Sequence, residues 1–136
     1  MRDLDYNRYA HIYLGEPWAV SDAQIFRGKY RIEAFEPNSA WGDPLFGADW
    51  GFAQDPTTLI KMYYYDDYLY IYDERYMIGC EIRNTAELFD GIENSRKYKI
   101  RADSARPEII SHMRHEGFNI EGVSKEKLGA DKENYV

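Results

Sequence analysis

Two aspartates stand in strand-like surroundings where a carboxylate calls for an explanation. Asp49 lies in the run FGADWGF, residues 46–52, which has the apolar and small neighbours of a buried strand. Strands disfavour Asp, and burial of an unpaired carboxylate costs free energy. Asp103 ends a second strand pattern, KYKIRADS at 97–104. The types and positions of these two acids suggest a shared site.

A divalent cation would reconcile two neighbouring carboxylates. Two such groups repel each other, and the pKa of one rises unless a cation lies between them. Mg²⁺ and Mn²⁺ prefer oxygen ligands, keep bound waters and accept phosphate oxygens. Two ions about 3.5–4 Å apart can activate a water and stabilise the leaving oxygen in phosphodiester cleavage. The structural alternative makes Asp49 a turn or bulge residue beside Gly51, and Asp103 the N-cap of a following helix.

Hydrophobic periodicity predicts the elements that would position these acids. The predicted order is β-β-β-α-β-α-β, an α/β fold with a mixed five-stranded sheet. Its strands are expected at 45–53, 57–66, 69–79, 97–104 and 118–124, and its helices at 84–95 and 105–117. Alternating strands and helices require parallel strands with right-handed crossovers. The first and fourth strands, which carry Asp49 and Asp103, are then expected to be neighbours.

Residues 1–40 are predicted to form a lead-in, with the domain proper at 41–136. The aromatic spacing of YNRYAHIYLGEPW allows a helix that ends near Gly15. Alternation at Tyr30, Ile32 and Ala34 predicts a short additional strand. In the domain, Trp50 and Phe52 are expected to hold the first strand in the core, while Gly47 and Gly51 allow a close approach of backbone or phosphate.

Composition narrows the classes of function. The net charge of −7 argues against a protein dedicated to coating DNA or membranes. No apolar run approaches the roughly 20 residues that span a bilayer, and no GxxxxGK[ST] phosphate loop is present. The single cysteine, Cys80, offers no internal disulfide or cysteine-based zinc site, which favours a reducing cytoplasm.

The charge is unevenly divided along the chain. Residues 1–93 hold 8 Lys/Arg and 17 Asp/Glu, whereas residues 94–136 hold 9 and 7. A polyanion would therefore meet the second part, although a solvated charged face explains the same pattern. The DNA-binding candidates are the basic residues nearest the predicted acidic site and the last strand: Arg101, Arg106, Lys125 and Lys127.

Two segments resemble the nuclease part of tailed-phage terminase large subunits, particularly those of phage-like elements in Gram-positive bacteria. They are GADWGFAQDPTTLIKMYYYDDYLYIYDERY and IRADSARPEIISHMRHEGFNIEGVSK. Their most specific parts are DWGF with DPTT, and ADSARPEII with GFNI. The resemblance covers roughly residues 10–136, and it implies a ribonuclease-H-like fold. It also implies a metal-dependent endonuclease that cuts concatemeric viral DNA during packaging, with Asp49 and Asp103 as metal ligands.

The resemblance carries further expectations about cofactors and partners. It implies Mg²⁺ or Mn²⁺, two ions in the complete family site, and double-stranded DNA as substrate. It implies partners in the terminase ATPase motor, the small subunit and the portal or procapsid, with no membrane association. The expected location is the cytoplasm of a bacterial host, where the gene can be part of a phage or a prophage.

This sequence departs from the family pattern at both ends. The ATPase motor is expected to lie outside it, as is the last helix, which supplies a third acidic ligand. Without that helix, one sheet face is expected to expose a large apolar patch. Glu74 is the nearest alternative for an extra carboxylate, and His112 and His115 are weaker ones. The alternative functions are a catalytically inactive, prophage-derived module that binds DNA or a packaging subunit and, more remotely, an actin-like ATPase.

Overall fold

A computed structural model describes residues 25–124. In this part a short 3-10 helix precedes five strands and two helices. The 3-10 helix is Ser39–Trp41, the strands are β1 (Leu45–Asp49), β2 (Pro56–Tyr65), β3 (Tyr68–Ile78), β4 (Ile100–Asp103) and β5 (Ile120–Val123), and the helices are α1 (Ile82–Asp90) and α2 (Pro107–His115). The predicted order of strands and helices is confirmed.

The five strands form one mixed sheet in the order β3-β2-β1-β4-β5. β1 pairs antiparallel with β2 and parallel with β4, and β4 pairs parallel with β5. The predicted neighbourhood of the first and fourth strands is therefore correct. It follows from the connectivity, because a crossover through α1 returns the chain to the free side of β1.

One face of the sheet carries both helices and the hydrophobic core. Alternate strand residues, among them Phe46, Leu59 and Ile100, are buried against the apolar residues of the helices. Phe89 of α1 is fully buried at the centre of an aromatic group, stacked on Trp50 and edge-on to Phe118, with ring centroids 6.0 Å apart in both pairs. The helix spacing of the sequence thus gives one packed layer on this face.

The opposite face of the sheet, here called the open face, has no helix against it among residues 25–124. Leu45 is 49% exposed, Leu69 is 55% exposed and Ile71 is 57% exposed. Register places Leu45 beside Met62, and Met62 beside Ile71. The predicted apolar patch on one sheet face is therefore present.

The β2–β3 hairpin extends beyond β1. Its turn is formed by Asp66 and Asp67, both with positive φ (50° and 61°), which matches the twist of a tight hairpin turn. Near this turn β2 pairs only with β3. Trp41 stacks on Tyr70 with ring centroids 4.1 Å apart and meets Tyr63 edge-on at 5.9 Å. The 3-10 helix therefore braces the protruding part of the hairpin.

A buried lysine ties the hairpin to the chain that follows α1. Lys61 is 4% exposed, and its Nζ donates to the carbonyl oxygen of Glu93 at 3.2 Å. The ammonium group also lies 6.0 Å from the centre of the Phe46 ring and 5.6 Å from that of Tyr72. Because aromatic faces attract cations, these rings offset part of the cost of burying the charge.

The structure corrects several predicted boundaries. The first strand ends at Asp49 rather than at residue 53, and α1 ends at Asp90 rather than at 95. Residues 30–34 form no strand, because strand pairing is what satisfies extended backbone and this stretch has no pairing partner in the sheet. The predicted helix near Gly15 lies outside the described residues.

Contacts divide the chain into Met1–Phe35 and Glu36–Val136. The described part of the first unit contains a turn in which Lys29 N–H donates to the Phe26 carbonyl, and an exposed ion pair between Arg31 and Glu33. Between residues 25 and 124, no helix has the length and apolar character needed to cross a membrane.

The buried aromatic group makes a strong prediction for stability. Phe89→Ala removes a fully buried ring and should lower the free energy of unfolding by about 3–5 kcal/mol, measured by urea denaturation. Phe52→Ala is the matched control, because Phe52 is 78% exposed and its truncation should stay within about 0.5 kcal/mol. Equal effects of the two substitutions would contradict this assignment of the core.

A surface ion pair predicts one component of acid sensitivity. Hydrogen bonding from Arg96 lowers the pKa of Asp90 below its ordinary value of 3.8. Stability from this pair is therefore complete above pH 3.8 and is lost as the pH falls through the lower pKa of the folded state. Asp90→Asn should be less stable than wild type at pH 7, by much less than Phe89→Ala, since the pair is half exposed. The difference should shrink in urea titrations below pH 3.8, and a difference that grows there would contradict the assignment.

Candidate metal centre

Asp49 and Asp103 end two adjacent parallel strands. The β1–β4 register pairs Phe46 with Ile100 and Ala48 with Ala102, and each aspartate is the next residue of its strand. Phe46, Ile100 and Ala102 are buried on the helix face. Because side chains alternate along a strand, both aspartates belong to the open face, at the same edge of the sheet. The structure thus brings the two predicted acids together.

Asp49 is exposed, which corrects the expectation that it lies in a buried strand. Its Oδ1 accepts a hydrogen bond from the backbone N–H of Trp50 at 2.9 Å. The strand ends at this residue, so the carboxylate pays no large desolvation cost. The apolar neighbours of Asp49 in the sequence reflect the core packing of Trp50 behind the sheet and do not indicate burial of the acid itself.

Asp103 is half-buried and lies at the turn into α2. Its Oδ1 accepts from the backbone N–H of Ala105 at 3.3 Å, the interaction of a turn-forming aspartate. α2 begins two residues later, at Pro107, with Arg106 as its N-cap residue. The structural alternative, in which Asp103 is the N-cap of this helix, is therefore wrong, and the carboxylate stabilises the turn before the helix instead.

Trp50 joins the ends of the two strands. Its indole Nε1–H donates to the backbone carbonyl of Asp103 at 2.7 Å. Its ring stacks on Phe89 at an interplanar angle of 7°. Trp50 thus takes the core position predicted for it. Phe52, predicted to share that position, is instead 78% exposed because the strand has already ended.

Gly51 fixes the loop that leaves the site. Its N–H donates to Oγ1 of the buried Thr57 at 3.1 Å. A Cβ atom at this position would lie 2.0 Å from the carbonyl oxygen of Asp55. The close approach that the sequence predicted for Gly51 is therefore made by the protein's own backbone, which folds back towards the start of β2.

Two neighbouring carboxylates have the oxygen ligands that a hard divalent cation prefers. Mg²⁺ is commonly held by one or two carboxylates, with water and substrate phosphate as its remaining ligands. The exposure of Asp49 leaves room for such additional ligands. Within residues 25–124, no three acidic, histidine or cysteine side chains are grouped closely enough to hold a metal ion. Any metal bound by Asp49 and Asp103 would therefore have no third such ligand grouped with them within residues 25–124.

The three residues predicted as alternatives for an additional metal ligand have contacts of their own elsewhere. Glu74 pairs in register with Ile60, on the far side of β2 from β1. His115 Nδ1 lies 2.8 Å from the Ser111 carbonyl oxygen, and His112 Nε2 lies 4.0 Å from a carboxylate oxygen of Glu116. The contact of His115 is thus with a residue of α2 itself, and that of His112 is with the residue directly after the helix.

The two predicted arginines flank the site, and each is paired with an acid. Arg101 is exposed beside Gly47 in the register, 3.3 Å from Glu121. Arg106 pairs with Glu108. Arg106 also lines a cleft of about 440 Å³ together with Gly51, Phe52 and Cys80. Lys125 and Lys127 lie outside the described residues.

The fold matches a solved nuclease structure. The crystal structure of the g2p large terminase nuclease domain from bacteriophage SPP1, with bound Mn, superposes with a TM-score of 0.56 at 24% sequence identity. The match covers 65% of this chain and 52% of that one, so this chain spans about half of that domain. No protein-family model and no curated protein sequence gives a significant match.

This comparison establishes the fold. The chain has a ribonuclease-H-like mixed five-stranded sheet of the kind found in terminase nuclease domains. The resemblance read from the sequence is confirmed at that level. The sequence did not reveal the indole hydrogen bond of Trp50 or the Thr57 hydroxyl contact, because neither produces a periodic signal in the chain.

The backbone packing around Gly51 predicts a local defect on substitution. Gly51→Ala should lower the free energy of unfolding by about 1–3 kcal/mol, because the new methyl group overlaps backbone that cannot rotate away. It should also speed amide hydrogen exchange at residues 50–57.

Gly47→Ala is the matched control for this substitution. Its Cβ would meet only the terminal methyl of Met62, at 3.4 Å. Its stability should therefore be close to wild type in the same urea titration. If Gly51→Ala were as stable as Gly47→Ala, the folded-back loop would be wrong.

Proposed function

We propose that this chain is a metal-dependent DNA endonuclease domain of a viral packaging terminase, with Asp49 and Asp103 as metal ligands. The observation that supports the proposal is the register of β1 and β4, which ends both strands, at Asp49 and Asp103, on the same edge of the sheet. The terminase-nuclease fold supports it, as does the Mn bound to the SPP1 domain. The proposed substrate is concatemeric double-stranded DNA.

The two proposed ligands differ in their exposure to solvent and in how they are held. Asp49, exposed at the strand end, would present its oxygens to a cation, which in turn would accept a phosphate oxygen of substrate approaching from solvent. Asp103, half-buried and held by the turn into α2, supplies oxygens from the neighbouring strand. A bound divalent ion supplies Lewis-acid polarisation of a phosphate oxygen and a lowered pKa of water.

Arg101 and Arg106 are proposed to contact the DNA backbone. Arg101 lies on the open face, and Arg106 lies at the start of α2 beside the cleft. Each forms an exposed or half-exposed ion pair, with Glu121 and Glu108 respectively. Such pairs contribute little stability, so a phosphate group can compete for either arginine. Lys125 and Lys127 remain proposed DNA contacts on sequence grounds.

A second candidate function is a module that keeps the fold without cleaving DNA. The observation that favours it is the lack, within residues 25–124, of a group of three potential metal ligands. In this role the chain would bind DNA or another packaging subunit. The motor, the small subunit and the portal or procapsid are the proposed partners in either role, within a bacterial cytoplasm.

The metal site can be tested with matched Asp→Asn substitutions. Wild type should bind Mn²⁺ and nick supercoiled plasmid in its presence. Asp49→Asn and Asp103→Asn should each weaken Mn²⁺ binding at least about tenfold and abolish nicking, because each removes one of the two ligands proposed within residues 25–124. Asp43→Asn is the control, since Asp43 is an exposed acid before the other end of β1.

The outcomes separate the two functions. Mn²⁺-dependent nicking that is lost in both variants and kept in Asp43→Asn supports the endonuclease. Mn²⁺ binding or DNA binding without nicking in wild type favours the non-cleaving module. Nicking that survives Asp49→Asn would overturn the assigned site.

A further inference from the structure

The two proposed ligands are not held together by the sheet alone. The β1–β4 pairing ends with Ala48 and Ala102, one residue before Asp49 and Asp103. Each aspartate still pairs with the strand on its other side, Asp49 with Thr58 of β2 and Asp103 with Val123 of β5, but no strand pairing links the two directly. A contact between the two strand ends would therefore add a direct link between the two proposed ligands.

The indole of Trp50 provides that contact. Its Nε1–H reaches the backbone carbonyl of Asp103 at 2.7 Å, beyond the last residue pair of the β1–β4 register. The backbone N–H of the same residue donates to Oδ1 of Asp49 at 2.9 Å. One residue thus bonds to both proposed ligands, to the side chain of the first and to the main chain of the second.

The ring that makes this bond is itself fixed. Trp50 lies on the helix face and stacks nearly parallel on the fully buried Phe89, with centroids 6.0 Å apart. Phe89 is in turn held edge-on by Phe118, which precedes β5. Since packed aromatic rings have few alternative rotamers, the donor stays aimed at the Asp103 carbonyl.

We propose that Trp50 is a positioning residue, which sets the spacing of the Asp49 and Asp103 carboxylates through its indole hydrogen bond and thereby sets the metal affinity. This inference rests on the proposed metal site. Substitution of a residue that is hydrogen-bonded to a metal ligand commonly weakens metal affinity by roughly 10- to 100-fold. In this proposal the indole N–H donor of Trp50 is essential for the metal affinity, and an aromatic ring without that donor is not sufficient.

The test compares two Trp→Phe substitutions. Trp50→Phe keeps an aromatic ring for stacking on Phe89 and removes only the N–H donor. Trp41→Phe makes the same chemical change at the hairpin brace, where the ring packs on Tyr70. Mn²⁺ affinity is measured for each by electron paramagnetic resonance of the free ion, at a temperature where circular dichroism shows both variants folded.

The proposal expects Mn²⁺ binding at least about tenfold weaker in Trp50→Phe and unchanged in Trp41→Phe. A purely structural role of Trp50 would lower the unfolding midpoint in urea while the folded protein kept wild-type affinity, and that result would overturn the inference. Wild type that binds no Mn²⁺ would overturn the proposed metal site, and this inference with it.

A second measurement needs no variant. In wild type labelled with ¹⁵N-tryptophan, the Trp50 indole N–H should exchange slowly with solvent, because it is hydrogen-bonded and packed. Its resonance should shift on titration with Mg²⁺, while that of Trp41 should not. Fast exchange at Trp50, or a Mg²⁺ titration that leaves its resonance unmoved while the metal binds, would overturn the proposal.

Discussion

The parallel pairing of β1 with β4 is the constraint on which the remaining structure depends. It joins residues more than fifty positions apart, since Phe46 pairs with Ile100 and Ala48 with Ala102. This pairing closes the long connection through β2, β3 and α1 into a loop, at a cost in chain entropy. Burial of the intervening apolar residues against α1 and α2 offsets that cost.

The same pairing separates the two chemical roles of β1. Phe46, Ala48 and Trp50 meet the core on the helix face, while Gly47 and Asp49 belong to the other side. A strand only five residues long therefore presents hydrophobic anchors and a water-facing carboxylate in alternation. The acid keeps its hydration, and the anchors behind it restrict its motion.

The sequence predicted the long-range arrangement better than the local detail. Three hairpin-linked strands followed by alternating helices and strands leave few ways to complete a sheet, so the neighbourhood of Asp49 and Asp103 followed from connectivity. The failures were at Asp49, Phe52 and residues 30–34. Burial at Asp49 and Phe52 depends on where the strand ends, and strand formation at residues 30–34 depends on whether a partner strand is available. Hydrophobic alternation in the sequence indicates neither of these.

The hydrogen bond from the Trp50 indole to the neighbouring strand could not be predicted from the sequence, for a related reason. A bond from an indole to a carbonyl 53 residues away is specified by packing geometry, which depends on Phe89 and on the turn at Gly51. Each of these residues has several ordinary uses in a sequence. Only their arrangement in space shows that the Trp50 indole donates to the Asp103 carbonyl.

The brace formed by Trp41 has a mechanical consequence. The hairpin tip beyond β1 is a two-stranded ribbon, which has little rigidity of its own. Its stiffening element is a ring on the segment that enters β1. A displacement of the segment that carries Trp41 would therefore be passed to the hairpin tip through this ring stack. The orientation of the hairpin tip is thus coupled to the segment that leads into β1.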